Sequence, residues 1–195
     1  LGKSDAAAMV ASVSDRALSD DILEQIVAKT DGVPLFLEEL TKTVQESGTE
    51  TANAIPETLQ DSLMARLDRL SPVKEIAQIG ACIGREFSHE LLVAVSPIGD
   101  NELGDALQQL VNSELVFRRG TGANATYTFK HALMQDAAYK GLLKAQRRHL
   151  HQSIAAAYET LFPSMVETAP EVLARHHENA GFDDKAADLW MHAGG

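Results

Sequence analysis

The sequence predicts a mainly α-helical chain interrupted by one small β-hairpin. Apolar residues recur at three- and four-residue spacing along most of its length, the period of helices with one buried face. Aromatics make up only 5% of the 195 residues while Ala and Leu abound, a composition that favours helices over sandwiches and barrels. The helical period gives way to alternation only at 115–129. Apolar residues at 45% and charged residues at 23% supply a core and exclude disorder.

The elements follow in chain order. Residues 4–14 read as a short helix, with Ser4 as its cap and Ala8, Met9 and Val13 on its apolar side. Ser19-Asp20-Asp21 opens a second helix, in which Ile22, Ile26 and Val27 recur at helical spacing. Asp31-Gly32-Val33-Pro34 ends it, because Gly suits the position past a helix end and Pro suits a first turn. The third helix carries Leu35, Phe36, Leu37, Leu40 and Val44 and stops near Gly48. Residues 47–54 are polar, have no period and read as a linker. These elements make a first domain, 1–53.

A second domain, 54–143, opens at Ile55-Pro56-Glu57. Leu59, Leu63, Leu67 and Leu70 form one stripe, and Ser71-Pro72 breaks that helix. The next helix carries Ile76, Ile79 and Ile83 and ends at Gly84. A short helix at about 88–95 follows, then one at 100–112 with Leu103, Leu107, Leu110 and Val111 on one side. Leu115–Arg119 and Thr126–Phe129, joined by Gly-Thr-Gly-Ala-Asn, read as the two strands of a hairpin. Helices followed by a hairpin predict a winged-helix domain. One more helix, from His131 to about Leu143, completes it. The third region, 144–195, divides into helices at 145–162, 170–180 and 183–192, the pattern of the start of a tetratricopeptide-like repeat array. The chain is expected to be a piece of a longer protein.

Composition also limits function. No apolar run reaches the ~18 residues of a membrane span, and no signal segment opens the chain. The lone Cys82 excludes an internal disulfide, so a cytoplasmic location without a membrane partner is expected. Net charge is −11, unevenly spread: 118–148 carries seven Lys and Arg against Asp136, a local +6, and the rest carries −17. Gly2-Lys3-Ser4 imitates the end of a phosphate loop but lacks the upstream Gly and strand. His149 with His151, and the adjacent His176-His177, lack metal-ligand spacing and read as surface or packing histidines. Cys82, among Ile79, Ala81 and Ile83, reads as a buried small hydrophobe. No catalytic or metal-ligating set is predicted within the chain.

Two segments are more specific: Thr30-Asp31-Gly32-Val33-Pro34-Leu35-Phe36-Leu37-Glu38-Glu39-Leu40 and Phe129-Lys130-His131-Ala132-Leu133-Met134-Gln135-Asp136-Ala137-Ala138-Tyr139. With them the chain resembles the STAND branch of P-loop ATPases, close to the AAA+ group. It resembles in particular large bacterial predicted ATPases fused to class III adenylate/guanylate cyclases or LuxR-type regulators. The first segment resembles the Gly-x-Pro lid motif of that family, with Val33 where Asn is usual. The second resembles its signature after the winged helix, although Lys130 and Ala132 stand where related receptors carry Met and Asp. Arg147, Leu150, His151 and Ile154, then Leu173-Ala174-Arg175-His176-His177, fit its first helical repeats.

The resemblance implies a helical lid of a P-loop ATPase at 1–53, a winged helix at 54–143 and the first repeat helices at 144–195. It implies that Pro34 closes over the adenine and ribose of ATP or ADP and that His131 senses the β-phosphate of ADP. The nucleotide would bind a core upstream in the full-length protein, and the chain alone would bind none. Expected partners are that core and other protein domains met through the C-terminal helices. Taken without the resemblance, Pro34 is a helix-opening proline and His131 a residue packing the wing onto the next helix. A protein-interaction scaffold working through the terminal helices is one alternative, and a nucleic-acid-binding winged helix is the rival, supported by Arg118 and Arg119. Against it, 100–112 carries Asp100, Glu102 and Asp105 and no Lys or Arg, so nucleic acid is not an expected partner.

Overall fold

The structure, a computed structural model, describes residues 2–14, 18–47, 58–70 and 73–194. They form twelve α-helices and one three-stranded antiparallel sheet, so the chain is mainly α with a small β element. It divides into two compact units, Leu1–Leu70 and Ser71–Gly195. Most of the expected linker at 47–54, the Ile55-Pro56-Glu57 start and the Ser71-Pro72 break lie outside the described residues. No helix among the described residues is long and apolar enough to cross a membrane.

In the first unit, α1 (Lys3–Val13), α2 (Asp20–Thr30) and α4 (Leu59–Arg69) each pack against α3 (Pro34–Ser47). Ala6, Val10, Ile22, Ile26, Phe36, Leu37, Leu40 and Val44 form the core. Two details of α1 differ from expectation. Gly2 rather than Ser4 takes the cap position, and Ala6 and Val10 are buried while Ala8 is exposed. An eleven-residue helix with short side chains leaves its phase poorly marked by pattern alone. Helix α4 is tied to α3 by polar contacts. Thr43 Oγ1 and Ser62 Oγ share a hydrogen bond of 2.7 Å, Arg69 donates to the Thr43 carbonyl at 3.0 Å, and Arg66 pairs with Glu39.

The second unit is organised around α5 (Val73–Ile83), nine of whose eleven residues are buried. Next come β1 (Glu86–Ser88), α6 (His89–Val95), α7 (Asp100–Asn112), β2 (Val116–Arg119) and β3 (Thr126–Phe129). The sheet order is β1-β3-β2, with Phe87 opposite Tyr127 and Val116 opposite Phe129. The hairpin β2–β3 is the one expected from the alternation. Strand β1 is an addition: three residues are too few to display a period. Phe87 stacks on Tyr127 at 5.7 Å between ring centroids and tilts against Phe129 at 5.5 Å, which presses the sheet onto α5.

After the sheet, α8 (Ala132–Lys140) packs on α5, and α9 (Lys144–Leu161) packs on both α5 and α6. A four-residue helix, α10 (Met165–Thr168), precedes α11 (Pro170–Ala180) and α12 (Asp183–Ala193). Helix α11 packs against α9 on one side and α12 on the other.

Candidate functional site

The turn before Pro34 is built by two left-handed residues, Asp31 at φ 48° and Gly32 at φ 69°. Gly32 takes this conformation without the Cβ clash that Asp31 must tolerate. The Val33 N–H donates to the Thr30 carbonyl at 2.9 Å, which closes the end of α2. Pro34 then opens α3, where its fixed φ is preorganised and its missing N–H costs no helical bond. Its ring is exposed. A cleft of about 700 Å³, lined by Ala6, Ala7, Leu23 and Val27, runs up to Asp31 and Gly32. Glu24 also lines the cleft, so its walls mix apolar and acidic residues beside the turn.

His131 lies in the second unit and is the residue that precedes α8. Its backbone is extended, its carbonyl accepts from the Met134 N–H at 3.0 Å, and its side chain makes no capping bond. The ring is half-buried and its Nε2 has no hydrogen-bond partner. The first turn of α8 carries no acidic side chain of its own. An imidazole nitrogen without a partner beside a helix start can donate to an anion.

A polar cluster with two buried histidines surrounds Tyr139, near the end of α8. His151 Nδ1 stands 2.8 Å from His176 Nδ1, and His151 Nε2 stands 3.1 Å from the Tyr139 hydroxyl. The Arg147 guanidinium lies over the Tyr139 ring, 5.2 Å from its centroid. Burial, followed by the charges of Arg175 and Arg147, lowers the His151 pKa to about 4. Burial, followed by His151 and Arg175, lowers that of His176 to about 3. His177 pairs with Glu159 at 2.9 Å. The expectation of packing histidines fits His151, His176 and His177, all buried, whereas His149 is exposed. Cys82 is buried as expected, and burial pushes its thiol up to about 12 against the lowering charge of Arg147. Sequence spacing could not bring His151 and His176 together, because they are 25 residues apart on different helices.

The basic stretch is only partly free for a ligand. Arg118 and Arg119 on β2 are exposed beside Phe117, which is 57% exposed. Lys130 pairs with Glu114 at 3.2 Å, Arg147 lies on Tyr139, and Arg148 donates to the Ala180 carbonyl at 3.4 Å. Asp100, Glu102 and Asp105 on α7 are all exposed.

No family model matches the chain. It is similar to a protein of Rhizobium meliloti (strain 1021) described only as uncharacterized, with 28% identity over 187 residues. The match covers 91% of this chain and 18% of that protein, so the chain spans less than a fifth of the relative's length.

Proposed function

We propose that this chain is the conformational-coupling region of an ATP/ADP-dependent signalling switch in a longer, cytoplasmic protein. Pro34 contacts the base from a helical lid, and His131 reads a phosphate of the bound nucleotide. The observation that carries the reading is His131 itself: a ring at the start of α8, with an unpartnered Nε2 and no acidic residue in the first helical turn. The left-handed Asp31-Gly32 turn and exposed Pro34 add support, as does the cleft that reaches the turn. The nucleotide core belongs to the full-length protein, whose output is cyclic-nucleotide synthesis or transcriptional control. Phe182, Trp190 and Met191, all exposed at α12, favour further protein contacts through the C-terminal helices.

Calorimetry with ADP and ATP, on the full-length protein and on the 195-residue chain, tests the proposal. Binding to the former and none to the latter is the expected result. A full-length protein that binds neither nucleotide ends the reading. The exposed Arg118 and Arg119 beside the β2–β3 hairpin favour nucleic acid as the second reading. The exposed carboxylates of α7 oppose it, since they would face backbone phosphates. Duplex binding that survives physiological salt would select that second reading.

A further inference from the structure

His151 on α9 and His176 on α11 are 3% and 0% exposed, and their Nδ1 atoms lie 2.8 Å apart. A bond between two imidazole nitrogens needs one N–H and one bare lone pair. Neighbours settle which ring supplies which. Asn179 Nδ2 donates to the Arg175 carbonyl at 2.8 Å, which orients its amide and leaves Oδ1 as acceptor for the Tyr139 hydroxyl at 3.4 Å. Tyr139 has then spent its proton and accepts from His151 Nε2–H at 3.1 Å. Neutral His151 therefore presents a bare Nδ1, which takes the Nδ1–H of His176. What remains is His176 Nε2, a buried lone pair without a partner.

This chain of donors has no place for another proton. Added to His151 Nδ1, it would set N–H against N–H. Added to His176 Nε2, it would create a buried cation with no acceptor. The charged neighbours are the wrong sign: Arg147 on α9 and Arg175 on α11 both act on His151, and Arg175 acts on His176. Tyr139 on α8, Tyr158 on α9 and Cys82 on α5 stay neutral there, their ionisation opposed by burial. His177 lies beside His176 on α11 and uses its Nε2 on Glu159, so that carboxylate is engaged elsewhere. No titratable group of α6, α10 or α12 hydrogen-bonds either ring.

We propose that the His151–His176 contact is a pH-sensitive latch, closed at neutral pH with α11 docked on α9 and released by acid. The inference is independent of nucleotide binding. Both folded pKa values lie below the ordinary 6.5, so the undocked form takes up protons first. Stability of the docked form is complete above about pH 7.5 and falls as pH drops toward the folded values. Between pH 7.5 and 5.5 each released ring gains about tenfold in proton occupancy weight, so docking weakens about a hundredfold for the pair. His177 acts on His176 in the same lowering direction as Arg175.

Histidine ring NMR and amide hydrogen exchange on the 195-residue chain, from pH 7.5 to 5.5, form the test. In the docked chain both rings should stay neutral at pH 5.5, His151 protonated on Nε2 and His176 on Nδ1. Protection of α11 amides, corrected for intrinsic exchange, should fall about a hundredfold while that of α7 stays within a few-fold. In His176→Gln, which cannot titrate but can still donate, the dependence of α11 should shrink to about tenfold. A ring titrating near 6.5 with α11 still protected, flat protection of α11, or an equal loss in α7 would each overturn the latch. The wild-type measurement decides by itself if the variant does not fold.

Discussion

Glu39 on α3 and Arg66 on α4, 27 residues apart, form an ion pair in which both side chains are all but removed from solvent. Two desolvated charges are held by their mutual attraction, and removing one leaves the other stranded. Arg66→Met should therefore cost the chain about 3–5 kcal/mol, and Glu39→Leu added to it should restore most of the loss. Urea denaturation of the wild type, the single and the double variant checks this. A cost under about 1 kcal/mol for Arg66→Met would show that the pair is not what holds α4 to α3.

That pair also marks how far the sequence could be read. The leucine stripe of α4 announced a helix, because burial of one face imposes the period on the residues themselves. Which helix it meets is decided by Thr43 with Ser62 and by Glu39 with Arg66, polar residues that carry no partner label along the chain. Strand β1 and helix α10 were invisible for a related reason: three and four residues fall below the length at which periodicity has meaning. At the candidate site, the Asp31-Gly32-Val33-Pro34 turn was legible because left-handed backbone and fixed φ are written in residue type. The unpartnered Nε2 of His131 and the His151–His176 bond were not, since both depend on what other elements bring near.

Gly80 gives a sharper case of close approach. A Cβ placed there would come within 2.8 Å of two atoms of the Phe87 ring, which is itself held between Tyr127 and Phe129. Gly80→Ala gains about 1 kcal/mol of helix propensity in α5. Overpacking costs about 1–3 kcal/mol, so the variant should be less stable and melt lower. Phe87→Leu in the same chain should relieve the clash and recover part of the loss. A melting temperature raised by Gly80→Ala alone would mean that the ring shifts freely.

Cys82 should be chemically silent in the folded chain. Its thiol is buried and pushed up to about 12, so almost no thiolate exists at pH 8. An aromatic disulfide reagent at pH 8 should label it only after unfolding in urea. The same shift gives a stability effect with a definite sign. The folded thiol holds its proton while the unfolded one ionises from about 9, so stability is unchanged below that pH and falls above it. Cys82→Ala should remove this alkaline component from the pH profile, and rapid native labelling would contradict the burial that causes it.

The nucleotide reading is tested most directly at His131, in the full-length protein. If His131 donates to the β-phosphate of ADP, the bond is charge-assisted and worth about 1.5–3 kcal/mol. His131→Ala should then weaken ADP roughly ten- to a hundredfold. ATP should lose less, because the open state it favours need not keep that contact, and the equilibrium should move toward the active form. Pro34→Ala leaves the start of α3 able to form and should weaken both nucleotides together, because a contact to the base does not distinguish them. The two variants thus separate a phosphate sensor from a lid contact. His131 makes no capping bond, so replacing it ahead of α8 should leave thermal stability nearly unchanged, and a large drop would point to packing instead. Calorimetry showing equal ADP affinity in wild type and His131→Ala would reduce the residue to packing between the sheet and α8.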